Sequence, residues 1–331
     1  MATVMQAYRF ALDPTPRQRR ALASHCGAAR VAYNWGLDLV TARLAQRYAG
    51  EDVEVPWTLP ELRREWNRAR DQVAPWWPEN SKEAYDSGLN GLARALKNFS
   101  DSKQGRRKGR QMGFPRRKRK RHARVACRFS KGQRIKVLAD RKHVQLPRIG
   151  VLKTHESTRK LARRLEKGTA RILAATISRR ADCWFVSFTC EVQRTMPTDN
   201  GKSSLVGVDV GVRNLAVLST GIVVPNPRAL ERSLRKLRRL NQELARRRPN
   251  SRRHESAGRR LARMHARSAN IRRDALHKLT TALATEHGTV VVEQLVAGML
   301  RNRRLARAIA DSGLGEIRRL LGYRPSGTAV G

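Results

Sequence analysis

Acidic side chains are scarce in this 331-residue chain, which has 27 Asp and Glu against 70 Lys and Arg and a formal net charge of +43. So large an excess of cations makes nucleic acid the expected partner. Arginine supplies 55 of the 70 cations, a choice that favours bidentate contacts with phosphate. The 40% of hydrophobic residues still suffice for a core, and the length predicts about two domains.

Cysteine and long apolar runs are also scarce. The four cysteines form no C-x-x-C pair, so neither a zinc site nor a disulfide framework is expected. The longest stretch without charge covers residues 214–227 and falls short of the roughly 20 apolar residues that a membrane span needs. No secretory signal opens the chain. We therefore expect a cytoplasmic protein.

The first half of the chain begins with a predicted strand, Met5 to Leu12, followed by a helix. Thr15 is the expected N-cap of that helix, with Pro16 at its first position and Gln18 three residues after the cap. Residues 51–99 remain helical in pattern and hold four tryptophans, which fit a core between helices better than a base-stacking platform.

A basic loop is predicted over residues 101–124, which contain 12 Lys and Arg and one acid. Three glycines and Pro115 oppose a helix there. Six adjacent cations repel one another unless an anion screens them, so phosphate contact is favoured over a merely solvated run. The candidate nucleic-acid ligands are Arg116, Arg117, Lys118, Arg119, Lys120 and Arg121.

Residues 125–194 change to the alternating pattern of strands and predict a small antiparallel barrel or sheet. The predicted strands are Arg134 to Leu138, His143 to Leu146, Ala170 to Ser178 and Trp184 to Val192. The polar residues 195–204 that follow are the best candidate for a linker between domains.

One carboxylate, Asp209, lies near the end of the apolar strand that starts at Leu205. An unpaired buried carboxylate is unfavourable, so such a residue is usually paired, protonated or bound to a metal. A salt bridge to Arg213 and a role as metal ligand are equally compatible with this pattern.

A second apolar strand, Thr289 to Leu295, carries Glu293 directly after three valines. Two strands that each deliver one acid at the same end can place both carboxylates side by side as oxygen ligands for Mg²⁺. Two-metal hydrolysis of phosphodiesters uses clusters of this kind. Asp209 and Glu293 are therefore the candidate catalytic and metal-binding residues.

Between these strands, residues 228–273 hold 17 Lys and Arg and three glutamates, with leucines at helical intervals. This pattern predicts a basic helical hairpin inserted into the sheet. A solvent-facing helix pair is the alternative, but its charge excess is unfavourable without a polyanion. The candidate nucleic-acid ligands here are Arg235, Arg238, Arg239, Arg246, Arg247 and Arg248.

Five stretches together resemble the TnpB family, also called OrfB, of insertion-sequence proteins related to compact type V CRISPR nucleases. They are YRF at residue 8 with PTPRQ at residue 14, GAARVAYNW at 27–35, GVDVGVRNLA at 207–216, RDALHK at 273–278 and VVEQL at 291–295. The resemblance covers nearly the whole chain, to about Tyr323. In the family the word transposase is an inherited label, and strand joining is not implied.

The resemblance implies a multidomain α/β fold: a wedge-type β-barrel with an inserted helical recognition lobe, then a RuvC-like domain of the RNase H fold. The implied parts are residues 1–13 and 125–194 for the barrel, 14–124 for the lobe, 195–204 for the linker and 205–331 for a partial RuvC-like domain with the insertion 228–273. Asp209 becomes the first RuvC carboxylate and Glu293 the second, whereas Asp274 is assigned a structural role on a helix.

The resemblance also implies partners and cofactors. They are Mg²⁺, a guide RNA transcribed from the end of the element, and a double-stranded DNA target read mainly by base pairing, with a short adjacent motif read by protein. A bacterial or archaeal protein associated with the nucleoid is expected.

The chain departs from the family after Glu293. The family continues through a zinc ribbon to a third catalytic Asp, and neither follows here. We therefore expect a C-terminally truncated protein with no zinc, weak Mg²⁺ binding and impaired cleavage. Three alternatives stay open: an active nuclease whose third ligand is Asp311, Glu316 or an acid of a partner chain, an RNA-guided repressor that does not cut, and a remnant that binds any polyanion. Asp311 and Glu316 themselves are expected to be ordinary surface acids.

Overall fold

The computed structural model describes residues 2–120, 123–130, 135–194, 204–293 and 305–322. The chain divides into two compact units, Met1–Arg194 and Thr195–Gly331. Both helices and strands occur in each unit, so the protein is of the mixed α/β class. Within the described ranges, no helix is both long enough and apolar enough to span a membrane.

The first unit is built on a seven-stranded antiparallel sheet with the strand order β2-β6-β7-β1-β5-β4-β3. Its strands are β1 (Ala2–Asp13), β2 (Ala126–Phe129), β3 (Lys136–Val137), β4 (His143–Leu146), β5 (Gly150–Thr154), β6 (Ala170–Arg180) and β7 (Cys183–Arg194). Strand β1 pairs with β7 along almost its whole length. The four predicted strands of residues 125–194 correspond to β3, β4, β6 and β7, although Arg134 lies outside the described residues.

Two short strands and one helix of this unit were not expected from the sequence. Strands β2 and β5 and helix α4 (Arg159–Glu166) lie within segments that are rich in charged residues. Helix α4 buries only Leu161 and Ala162. Four to eight residues are too few for a clear hydrophobic period, so tertiary contacts decide these elements.

Three helices are inserted between β1 and β2, namely α1 (Pro16–Tyr48), α2 (Leu59–Val73) and α3 (Lys82–Lys103). Helix α1 starts as the sequence predicts. The Gln18 amide donates to the Thr15 hydroxyl, 3.3 Å away, and the Thr15 amide donates to the Gln18 side chain, 2.9 Å away. This reciprocal capping box satisfies two amides that the first helical turn leaves without partners.

Helices α1 and α3 approach each other closely at Gly88. A Cβ atom built on Gly88 would lie 2.0 Å from the Ala29 carbonyl oxygen, so no side chain fits at this crossing. Most tryptophans of the region are packing residues, as predicted: Trp66 is buried between Tyr85 and Trp35, at ring-centroid distances of 5.2 and 5.1 Å. Helices and sheet share one hydrophobic core.

The second unit contains a four-stranded sheet with the order β10-β9-β8-β11. Its strands are β8 (Leu205–Asp209), β9 (Asn214–Leu218), β10 (Val223–Pro225) and β11 (Thr289–Val292). Strands β8, β9 and β10 pair antiparallel, whereas β11 runs parallel to β8. The two apolar strands expected around Asp209, and the strand that precedes Glu293, are thus all present.

The helices of this unit are α5 (Ala229–Ala245), α6 (Arg252–Glu286), α7 (Ala306–Ser312) and α8 (Leu314–Gly322). Helices α5 and α6 pack against each other as the predicted basic hairpin, and α6 continues beyond it to Glu286. Leu276, Leu279 and Leu283 of α6 pack with the strands and with α8 in a second hydrophobic core. The N-terminal part of α6, which pairs with α5, therefore extends beyond that core.

Candidate metal-binding acids and nucleic-acid interface

Asp209 and Glu293 occupy neighbouring positions at the same end of two parallel strands. The β8–β11 ladder pairs Val208 with Val292, Asp209 is the last residue of β8, and Glu293 directly follows β11. Adjacent strands are about 4.8 Å apart, which is within the reach of two carboxylates that share one cation. Register, which cannot be obtained from spacing along the chain, brings the two acids together.

Both acids also lie on the same face of the sheet. Val206 and Val208 of β8 and Val292 of β11 are buried, whereas Asp209 and Glu293 are exposed. Because successive side chains of a strand alternate between faces, the acids belong to the face opposite the packed valines. The carboxylates therefore remain hydrated, unlike the buried Asp209 that the apolar sequence around it suggests.

Neither acid is neutralised by a nearby cation. Across the described portion of the chain, Asp209 and Glu293 have no ion pair, and the suggested salt bridge from Asp209 to Arg213 does not form. Arg213 is exposed in the turn between β8 and β9. The salt-bridge interpretation of Asp209 is therefore not realised in the described residues, and its role as a metal ligand stays a prediction.

Asp311 is not the surface acid that its helical setting predicts, because its side chain is only 6% exposed. The amides of Leu230 and Glu231, in the first turn of α5, donate to its carboxylate over 2.9 to 3.2 Å. Arg272 lies 3.5 Å away on the other side. Asp311 thus caps α5 across 80 residues of sequence, a contact that no local motif could reveal.

Glu316 fits the expected surface acid. It forms an ion pair with Arg319 one helical turn away, and hydrogen bonding to that guanidinium lowers the pKa of Glu316. Asp274 lies on α6, with its carboxylate 2.8 Å from the Lys278 ammonium in an exposed ion pair, and its structural role stays a prediction. In the described ranges, no group of three or more His, Cys, Asp and Glu side chains is arranged to hold a metal ion.

The basic loop is held against helix α1 at Lys118. The Lys118 amide donates to the Asn34 side chain over 2.8 Å, and the Asn34 amide group donates back to the Lys118 carbonyl over 3.1 Å. The Lys118 ammonium lies 3.6 Å from the centre of the Tyr33 ring. Burial lowers the pKa of Lys118. The side chain of Lys118 therefore stabilises the protein itself.

The other candidates in this loop differ in their surroundings. Arg117 forms an exposed ion pair with Asp38 over 3.3 Å. Arg116, Arg119 and Lys120 are exposed. Arg121 lies outside the described residues. Exposed cations at four of the six positions agree with a phosphate-binding role, which stays a prediction.

The hairpin holds a groove of about 860 Å³ between α5 and α6 that is lined mainly by cations. Helix α5 contributes Arg232, Arg235, Lys236 and Arg239, and α6 contributes Arg260, Arg263 and Arg267. The single acid of the lining, Glu243, pairs with Arg260 and with Arg247. Of the candidates named from the sequence, Arg235 and Arg239 line the groove, whereas Arg238, Arg246 and Arg248 are exposed outside it.

Two family models match the chain. A model described as "Probable transposase", for the OrfB proteins of IS605-type elements, matches residues 187–304, and a model described as "Helix-turn-helix domain" matches residues 1–48. In the structure, the described part of the second range forms the strand β1 and the whole of the single helix α1. The two matches together indicate a class, that of the OrfB-type insertion-sequence proteins.

Comparison with named relatives identifies the family within this class. A Mycobacterium tuberculosis protein named "Putative RNA-guided DNA endonuclease Rv2885c" is 41% identical over 97% of this chain and 74% of its own length. The Escherichia coli protein InsQ, similarly named, is 29% identical over 97% of this chain and 77% of its own. The chain belongs to the TnpB (OrfB) family, as the sequence motifs indicate. Among solved structures, a Cas12f1–sgRNA–target DNA complex is similar with 10% identity, a TM-score of 0.48, and coverage of 99% of this chain and 89% of its own.

Proposed function

We propose that this protein binds a guide RNA and uses it to recognise double-stranded DNA, with Asp209 and Glu293 as ligands for Mg²⁺. The observation that carries the proposal is the parallel register of β8 and β11, which sets two exposed carboxylates side by side without a cationic partner in the described residues. Like charges placed so close together favour a bound cation.

The topology supports a RuvC-like assignment for the second unit. Three antiparallel strands followed in the sheet by a fourth parallel strand, with helices between β10 and β11, agree with the RNase H fold. In the first unit, the helical insertion between β1 and β2 agrees with a recognition lobe over residues 14–124 inside a wedge-type barrel. These assignments remain part of the proposal.

The net charge of the chain and the names of its relatives support guide RNA and target DNA as partners. The excess of 43 positive charges calls for a polyanion, and relatives of 29% to 41% identity are named as RNA-guided DNA endonucleases. In such a system base pairing with the guide reads the target sequence, while the protein holds the backbones. Because the charge and the named relatives both favour DNA as a partner, we also propose that the protein associates with the nucleoid.

The acid pair fits Mg²⁺ in its chemistry. Carboxylate oxygens are the hard ligands that Mg²⁺ prefers, and this ion commonly binds through one or two carboxylates while it keeps several waters. When bound, the ion would supply activation of an attacking water and stabilisation of the leaving oxygen. Asp209 and Glu293 would hold the ion at the ends of β8 and β11, and the exposed arginines would hold and orient the phosphate backbone.

How strongly the chain cleaves stays a prediction. Impaired cleavage is expected because, within the described residues, Asp209 and Glu293 are not joined by a third metal-binding side chain. A complex that binds its target without cutting would act as a repressor. Asp311 is a poor substitute ligand because its carboxylate already accepts bonds from the first turn of α5.

The test begins with the protein expressed together with its native downstream flanking DNA. We expect a discrete small RNA to copurify and the complex to prefer a duplex that matches this RNA over a scrambled one. A heterogeneous mixture of cellular RNA, with equal affinity for both duplexes, would refute guided binding. Nicked product in Mg²⁺ but not in EDTA would show a working centre, whereas protection without nicks would identify a repressor.

Single substitutions test the acid pair. Asp209→Asn and Glu293→Gln should each abolish any Mg²⁺-dependent cleavage and weaken Mg²⁺ binding measured by calorimetry, because each removes a charged oxygen ligand. Glu255→Gln is the matched control, since Glu255 is an exposed acid in the first turn of α6. Equal Mg²⁺ affinity of all three variants and the parent protein would show that Asp209 and Glu293 do not bind the ion.

A further inference from the structure

Asn226 is a buried polar residue that joins three parts of the second unit. It lies between β10 and α5 and is 8% exposed. Its amide group donates to the Val212 carbonyl over 2.7 Å and to the Ser312 hydroxyl over 2.8 Å, and its oxygen accepts the Arg228 amide at 3.0 Å. Both hydrogens and the oxygen of this side chain therefore have protein partners, and the reverse orientation would set the amide group against the Arg228 N–H.

Only one of these three contacts is local. The bond from the Arg228 amide closes a turn of the kind that an asparagine forms with the backbone two residues further on. The other two contacts reach 14 residues back, to the turn between β8 and β9, and 86 residues forward, to the last residue of α7. Asn226 thus fixes the β8–β9 turn to distant parts of the same unit.

The turn that Asn226 holds begins directly after Asp209 and ends at Asn214, the first residue of β9. It is a tight turn, because a Cβ atom built on Gly211 would lie 3.2 Å from the Asn214 carbonyl oxygen. The hydrogen bond from Asn226 holds the next carbonyl, that of Val212. The path of the chain immediately after the candidate metal ligand is therefore set by a buried side chain from another segment.

Arg213 belongs to this turn and is the cation nearest to Asp209 along the sequence. Four residues of chain span at most about 14 Å, and an arginine side chain is long and flexible, so a relaxed turn would bring the guanidinium within reach of the carboxylate. In the structure Arg213 is exposed and, among the described residues, forms no ion pair. An arginine paired with Asp209 would neutralise the charge that attracts a cation.

We propose that Asn226 is a positioning residue for the metal-binding acids: by holding the β8–β9 turn, it keeps Arg213 away from Asp209 and leaves that carboxylate available to Mg²⁺. The inference rests on the proposed function for the ion at Asp209 and Glu293. Loss of an outer contact that orients a metal ligand typically lowers metal affinity by about 10- to 100-fold. Asn226 acts on the turn rather than on the carboxylate itself, so the lower end of that range is expected.

The first test removes the hydrogen bonds of Asn226. Asn226→Leu keeps the approximate volume of the side chain, and it should lower the Mg²⁺ affinity measured by calorimetry about tenfold. It should also speed the hydrogen exchange of the amides of residues 210–214, measured by mass spectrometry, because the turn loses its buried donor.

Ser312→Ala is the matched control. It removes one partner of Asn226 and leaves the bond to Val212 in place, so Mg²⁺ affinity and exchange of the turn should both stay at the level of the parent protein. Circular dichroism and urea unfolding establish that both variants are folded. Equal Mg²⁺ affinity of the two variants would overturn the proposal.

A second substitution separates positioning from general support of the fold. Arg213→Gln alone should change Mg²⁺ affinity little, because an exposed and hydrated cation is largely screened. Added to Asn226→Leu, it should recover most of the lost affinity, since no neighbouring cation is left to compete for Asp209. A merely structural loss would not be recovered in this way. A double variant as weak as Asn226→Leu alone would therefore refute the proposal.

The metal site and the positioning role fail in different ways. If Asp209→Asn binds Mg²⁺ as tightly as the parent protein, the metal site is refuted, and faster exchange of residues 210–214 in Asn226→Leu would still support the hold of Asn226 on the turn. If Asp209→Asn loses Mg²⁺ while Asn226→Leu keeps the parental affinity and slow exchange, the positioning role is refuted and the metal site stands.

Discussion

The basic loop of residues 101–124 and the basic hairpin formed by α5 and α6 are alike in composition and differ in what their cations contact. In the loop, Lys118 packs on the Tyr33 ring and Arg117 pairs with Asp38. In the hairpin, arginines from two helices face a shared groove with one acid among them. Tertiary packing therefore decides which cations of a dense run contact the protein itself and which line an open groove.

The difference follows from the neighbouring elements. The loop passes over α1, whose aromatic Tyr33 and amide Asn34 offer partners for one cation and its backbone. The hairpin helices offer each other a narrow apolar seam that buries Leu237, Leu240 and Ala257, and their cations lie on either side of it. Rigid support underlies the loop, while the hairpin is stabilised mainly by that seam.

The largest effect is expected from a substitution that disturbs the packing of α1, the helix that supports the basic loop. Gly88→Ala would place a methyl group 2.0 Å from the Ala29 carbonyl, and backbone cannot yield as a side chain can. We expect a loss of about 3 kcal/mol or more in the free energy of unfolding, measured by urea denaturation.

The corresponding glycine of the hairpin is the control. Gly258 lies within α6, and a Cβ there would meet only Leu244, at an ordinary 3.8 Å. Gly258→Ala should stabilise the protein by up to about 1 kcal/mol, because alanine restricts the unfolded chain and favours helix. A similar loss for both variants would contradict the contrast between the two regions.

An intermediate effect is expected at the base of the hairpin. Asp311→Ala removes the acceptor for the first turn of α5 and leaves Arg272 without its buried carboxylate. A loss of about 2 kcal/mol in unfolding free energy is expected, against less than about 0.5 for Glu316→Ala on the surface. Stability that depends on Mg²⁺ in the parent protein but not in Asp311→Ala would instead indicate a metal ligand.

The smallest effect separates two neighbouring cations of the loop. Lys118→Ala should lower the unfolding free energy by about 1 kcal/mol through the lost cation–π contact and stem packing, with little change in the salt slope of binding. Arg119→Ala, at an exposed position, should do the reverse and lower that slope by about 1. Parallel changes in stability and slope for both variants would show that Lys118 also contacts phosphate.

Regular elements with long periods were predictable from the sequence. The capping box at Thr15, the strand around Phe10, the paired basic helices and the strands leading to Asp209 and Glu293 all occur as the patterns indicate. Short elements in charged segments, such as β5 and α4, were not, since β5 depends on pairing with the distant β1 and α4 on packing Leu161 into the core. The contacts of individual acids were equally unpredictable, because Asp311 accepts hydrogen bonds from residues 80 and 81 positions away.

The sequence by itself determined the charge, the family and the two acids at the ends of apolar strands, because each is carried by composition or local motif. Tertiary structure alone decided that β8 and β11 pair in parallel, that their acids share one exposed face, and which arginines line a common groove. Register and helix packing are set by burying apolar surface over long separations. For that reason no reading of adjacent residues could establish them.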